Sequence, residues 1–135
     1  MSRKSASSKH WLTALVLIHL AVSIVHGWAH VQAKVALSQA GSLFVFIVIL
    51  IGPLVGLALT WPAGRIGNWI IAITLSGSFM FGLLNHFVYS GQDHVAHVAS
   101  QWRTLFATTA VLLAGIELLG SSLAIGFAWN RNSVS

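Results

Sequence analysis

The sequence predicts an all-α fold: a four-helix antiparallel bundle built into a membrane. Three observations predict it. Apolar runs of roughly 20 residues recur along the chain, the length that crosses a bilayer core. Only 7% of the 135 residues are charged, against about 25% in soluble domains. Basic residues and tryptophans gather at the ends of the apolar runs, as they do in membrane spans.

Residues 1–10 carry Arg3, Lys4 and Lys9 among serines and read as a short, disordered basic tail. The first span runs from about Trp11 to Val31. Its basic start and the small-residue stretch Val31-Gln32-Ala33 also fit a cleaved signal peptide. The length of the apolar stretch and its three histidines favour a retained span. Residues 32–41 form a loop with Lys34. The second span runs from about Ser42 to Thr60. Gly52-Pro53 should kink it, because proline removes a helical hydrogen bond. Gly52 and Gly56 form a GxxxG pair that permits close helix packing.

Trp61-Pro62-Ala63-Gly64-Arg65 is a short turn, which makes the second and third spans antiparallel neighbours. The third span covers about Asn68 to Tyr89, with Ser78 and Gly82 as a pair of small residues one turn apart. Ser90-Gly91 breaks it. Asp93 is a plausible N-cap for a helix starting at His94. The fourth span runs from about Trp102 to Trp129, and residues 130–135 are a polar tail. Residues 11–129 thus make one transmembrane domain, with no internal repeat and no soluble domain.

Composition narrows the function. The net charge of +5 is scattered at span ends and so reads as loop charge rather than a nucleic-acid surface. The expected partner is the lipid bilayer, with room for a membrane-protein partner or a homo-oligomer. The chain has no cysteine, which removes disulfides, thiolate zinc sites, iron–sulfur clusters and cysteine nucleophiles. Asp93 and Glu117 are the only acids. An oxygen-rich calcium or magnesium cage and a four-glutamate di-iron centre are therefore not available.

Loop charge predicts the orientation. Arg3, Lys4, Lys9, Arg65 and Arg131 fall on one side, Lys34 and Arg103 on the other. The positive-inside rule makes this a multi-pass cell-membrane protein with both termini in the cytoplasm. Trp11, Trp61, Trp69 and Trp129 then mark the inner boundary, and Trp28 and Trp102 the outer.

This topology sends five of the seven histidines to the outer end: His26, His30, His86, His94 and His97. On a helical wheel His19, Ser23, His26 and His30 lie within about 60° of one another, whereas Thr13 lies about 120° from His19. A polar stripe in lipid turns inward. If the fourth helix begins at His94, then His94, His97, Gln101, Thr104 and Thr108 share a face as well. His26 and His30 at i, i+4 and His94 and His97 at i, i+3 can then aim imidazoles at one centre. His86 is a fifth ligand candidate, and Asp93 an oxygen ligand or a partner to a ligating imidazole.

Imidazole suits zinc or copper(II). Copper(I) prefers sulfur, and Met80 is the only internal one. His26 and His30 share the spacing of the helical zinc-protease motif but lack its glutamate, which excludes a protease. The leading expectation is a small membrane protein with an outer-face histidine cluster that binds a transition metal, for binding, sensing or delivery. One alternative is a b-type haem redox protein with His26 or His30 and His86 as axial ligands, or a metallo-oxidoreductase or hydrolase. The other is a structural or accessory subunit in which the histidines glue helices together.

Glu117 lies about 18 Å from the inner surface, where an ionised carboxylate is costly. His19 reaches a compatible depth, so the two can pair; the alternative is a protonated Glu117 bonded to a backbone carbonyl or to Ser121. One difficulty is that Glu117 falls about 160° from the His97 stripe on a straight helix. Either the fourth helix breaks near Ser100 or Glu117 serves a different groove.

Overall fold

The computed structural model describes residues 3–130, with side chains from residue 9 onward. Arg131 and the rest of the polar C-terminal tail lie outside them, as do Met1 and Ser2. The described residues are helical with no strand, and four helices are long and apolar enough to cross a membrane. They are α1 (Arg3–Gln32), α2 (Gln39–Leu59), α3 (Gly64–Val88) and α4 (Ser100–Asn130). Large apolar side chains such as Leu17, Ile47, Val111 and Leu118 face outward. That is the pattern of a bundle whose solvent is lipid.

Helix α1 starts earlier than the sequence suggests. Residues 3–10, read as a disordered tail, continue the helix. No glycine or proline interrupts them, and extending an existing helix is far easier than nucleating one. At its other end α1 closes on Lys34, the one non-glycine residue at positive φ among those described (φ 55°). The Val35 N–H reaches back to the His30 carbonyl at 3.0 Å and the Lys34 N–H to Val31 at 3.2 Å. This is a Schellman closure built without glycine. Ser38 then caps α2 by accepting from the Gly41 N–H at 3.1 Å.

In α2 the expected disturbance at Gly52-Pro53 takes the form of a π-helical stretch, Val45–Ile51. Its last bond runs from the Gly52 N–H to the Ile47 carbonyl. The wider turn absorbs the donor that Pro53 lacks. A second π-helical turn, Leu84–Val88, ends α3 and contains His86.

Helix α4 packs along α3 on one side and α1 on the other, and α2 packs on α3. The remaining seam, between α1 and α2, closes mainly through the Gly52–Leu59 half of α2. Near the chain termini Leu12, Val16, Ile71, Ala72, Leu75 and Ala124 form the core. The opposite end is held by Ala29, Val98 and Phe106. The ring pairs respect this division. Trp69 meets Trp129 at the first end, and Trp28 meets Trp102 at the second. Lys9 lies over the Trp61 ring at the terminal end.

The α2–α3 turn depends on glycine. A Cβ on Gly67 would sit 2.6 Å from the Gly56 carbonyl oxygen and 2.5 Å from the Thr60 nitrogen, both backbone atoms. Gly67→Ala is therefore expected to destabilise the bundle by about 1–3 kcal/mol, the usual scale of overpacking. Unfolding by SDS titration in mixed micelles measures it. Parental stability would mean that the turn can open without loss.

Candidate metal centre

Three histidines from two helices meet at the end of the bundle away from the termini, called here the histidine end. His26 and His30 are one turn apart on α1, and His86 comes from the π turn of α3. His26 and His86 are buried, at 7% and 6% exposure. His26 Nε2 lies 3.1 Å from His86 Nε2 and 3.2 Å from His30 Nε2. One ligand atom from each ring lies within 4.8 Å of the others. Phe106 of α4 packs against all three rings, tilted to His26 and His30 and edge-to-face with His86, with centroids 4.7–5.1 Å away.

The hydrogen bonds at the far side of each ring decide what the near side offers. Thr109 Oγ1 directs its single proton at the Leu105 and Phe106 carbonyls. It can therefore only accept from His26 Nδ1, 2.7 Å away. Hence His26 carries its proton on Nδ1 and bears a lone pair on Nε2. His86 Nδ1 lies 3.1 Å from the Asp93 carbonyl oxygen, which only accepts. That fixes the same tautomer for His86. Two lone pairs thus face each other across 3.1 Å, with the third imidazole beside them. Such a contact is repulsive unless a cation or a proton lies between. His30 Nδ1 is buried with no hydrogen-bond partner.

Asp93 closes the group. Its Oδ1 is 3.3 Å from His86 Nδ1 and 3.4 Å from His30 Nε2. These are ion-pair distances, yet neither carboxylate oxygen has hydrogen-bond geometry with any partner. Burial pushes the Asp93 carboxyl up. The His86 ring against it and the charges that His86, His30 and His26 can carry outweigh that, and hold it below the usual carboxylate range.

The structure does not bring His94 and His97 into this cluster. Helix α4 begins at Ser100, not at His94, so the shared face inferred for His94, His97, Gln101, Thr104 and Thr108 does not exist. Gln101, Thr104 and Thr108 are exposed. His94 is itself the cap of a short 3-10 turn, Val95–His97, its ring accepting from the Ala96 N–H, so Asp93 is not the cap of a helix. His97 Nδ1 donates to the Gly91 carbonyl at 2.7 Å. Arg103 holds the Ala96 and Val98 carbonyls. Both histidines are used in shaping the loop that delivers Asp93.

Thr109 was not singled out by the sequence. It belongs to the buried face of α4 with Phe106, Leu113 and Glu117, spaced by three or four residues. The spacing marks it in the sequence, but a helix counted from His94 puts Thr108 on the polar face instead. Deeper in the bundle His19 and Glu117 pair, with Nε2 and Oε1 3.1 Å apart and both residues buried. Ser78 of α3 donates to the same carboxyl oxygen, a third partner read from the sequence only as a small residue. With α4 starting at Ser100, Glu117 faces the same interior as the histidines, and the 160° difficulty disappears.

Comparison with protein-family models, with curated proteins and with solved structures returns no match, so the reading of this site rests on its own geometry.

Proposed function

We propose that this chain is a membrane metal-binding protein that holds one transition metal ion, zinc or copper(II), on His26, His30 and His86. The observation that carries the reading is the convergence of three Nε2 atoms, two of them with lone pairs fixed toward the centre. In a tetrahedral site with metal–nitrogen bonds near 2.0–2.1 Å, ligand nitrogens lie about 3.3–3.4 Å apart. The spacings of 3.1 and 3.2 Å from His26 need a small expansion to admit the ion, and the His30 and His86 nitrogens, within 4.8 Å, close around it by rotation of the rings. Thr109 and Asp93 orient two of the rings from behind, the usual support of a ligating imidazole. Asp93 or water supplies the fourth position. A haem would need its macrocycle between His26 and His86. Contact between their Nε2 atoms, flanked by His30, favours an ion instead. The bound metal serves binding, sensing or delivery, or an oxidoreductase that uses the fourth position.

Metal content of the full chain purified in detergent tests this. About one zinc or copper per chain is expected after loading. A preparation that stays metal-free after incubation with zinc, copper and iron would leave the histidines as helix glue. A Soret band would replace the ion with haem.

The same reading puts the histidine end outside the cytoplasm. The five-to-two bias of Arg3, Lys4, Lys9, Arg65 and Arg131 over Lys34 and Arg103 supports it. Reporter fusions at Lys34 and Gly91 are expected to report the outer side and fusions at Gly64 the cytoplasm. A cytoplasmic signal at Gly91 would invert the topology.

A further inference from the structure

A cavity of about 390 Å³ runs inside the bundle from the histidine end toward Glu117. Its walls are mostly apolar, with Ile24, Val31, Val45, Ile49, Phe81 and Leu113 among them. It lies along the α1–α2 seam, the one that closes mainly at its other end. Gly27, which lines the cavity, is exposed, and a Cβ there would meet nothing within 4 Å. The chamber therefore has a mouth on the lipid-facing surface.

One side chain on the wall is unlike its counterparts. Buried and half-buried hydroxyls on these helices have partners: Thr13 folds back onto Lys9, Thr74 onto Ile70 and Thr109 onto Leu105, and Ser78 on the cavity wall donates to Glu117. Ser23 has none. Its Oγ is buried and has no hydrogen-bond partner, and Ser23 lines the cavity. An unsatisfied hydroxyl in an apolar chamber is costly unless something binds it.

We propose that this cavity binds a lipophilic molecule with an uncharged oxygen head group, a hydroxyl or a carbonyl, which enters from the bilayer between α1 and α2 and bonds to Ser23. Two features select that chemistry. The volume is that of a small-molecule site, and apolar walls with a few polar groups are what such sites have. Ser23 lies nine residues before the end of α1, about 13 Å down the helix, too deep for a phosphate or other ionic head group. The inference stands on the cavity and Ser23, and does not require the metal.

The test uses the full chain in phosphatidylcholine vesicles and a hexadecanol carrying a photoreactive diazirine in its chain. Labelling is expected to saturate, to fall on residues 23–31 and 42–50, and to be displaced by unlabelled hexadecanol. Gly27→Leu, which adds a side chain at the open mouth, is expected to abolish saturable labelling. Gly115→Leu, equally unobstructed but away from the cavity, is expected to leave it intact. Ser23→Ala is expected to weaken binding about tenfold, the loss of one buried hydrogen bond. Non-saturable labelling, equal labelling of these residues by a diazirine phosphatidylcholine, or parental labelling of Gly27→Leu would each overturn the proposal. Metal content measured on the same samples separates failure here from failure of the metal reading.

Discussion

His26→Ala is expected to abolish stoichiometric metal binding, the largest effect any single substitution in the chain should have on it. His26 is the ring that touches both other ligands, at 3.1 and 3.2 Å, and its removal leaves two imidazoles with no third nitrogen between them. Thr109→Val tests the logic one step further out. Valine keeps the shape but cannot accept from Nδ1, so the His26 tautomer is no longer fixed. Loss of such an orienting partner costs about 10–100-fold in metal affinity. His94→Ala and His97→Ala are expected to leave the metal bound, because those rings are used in shaping the loop. Binding should weaken as pH falls, since the ligating imidazoles must be neutral and protons compete for the same lone pairs. Calorimetric titration with zinc across pH measures all of these. Unchanged affinity in His26→Ala would remove the centre; unchanged affinity in Thr109→Val would remove only the orienting role.

What was legible in the sequence was whatever depends on local pattern. Four apolar runs gave four helices because only a helix satisfies its own backbone in lipid. The stripe His19, Ser23, His26, His30 faces inward because a helix of fixed period has no other way to bury four polar positions together. Depth along two antiparallel helices allowed the His19–Glu117 pair but left Ser121 or a backbone carbonyl as equal partners for Glu117. The stretch between α3 and α4 was not legible. Whether a helix begins at His94 or at Ser100 depends on tertiary bonds such as Arg103 to Val98 and His97 to Gly91, which no local propensity encodes. That six-residue difference moved His94 and His97 out of the site and left Thr109 unnoticed. Asp93 reached the site by another route than the one expected. It arrives on an irregular loop beside His86, with no helix of its own.

Removing Glu117 is expected to be the most damaging change to the fold itself. The residue sits inside the bundle at 3% exposure, where its carboxyl joins His19 of α1 and Ser78 of α3. One side chain of α4 therefore ties three helices at a depth where lipid offers no alternative partner. Glu117→Ala strands both other groups. The size of the loss reads out the charge state of the pair. Breaking a buried ion pair costs about 3–5 kcal/mol, because an uncompensated charge remains. Stranding a neutral donor or acceptor costs about 1–3 kcal/mol. Glu117→Gln separates the alternatives again, since glutamine keeps the shape and one acceptor but cannot carry the charge. A double-mutant cycle with His19→Ala isolates the pair from Ser78: groups in contact should deviate from additivity by more than about 0.5 kcal/mol. SDS-titration unfolding of the four proteins supplies the numbers. Additive losses would mean that His19 and Glu117 are two separately satisfied buried groups, and that Ser78 alone holds the carboxyl in place.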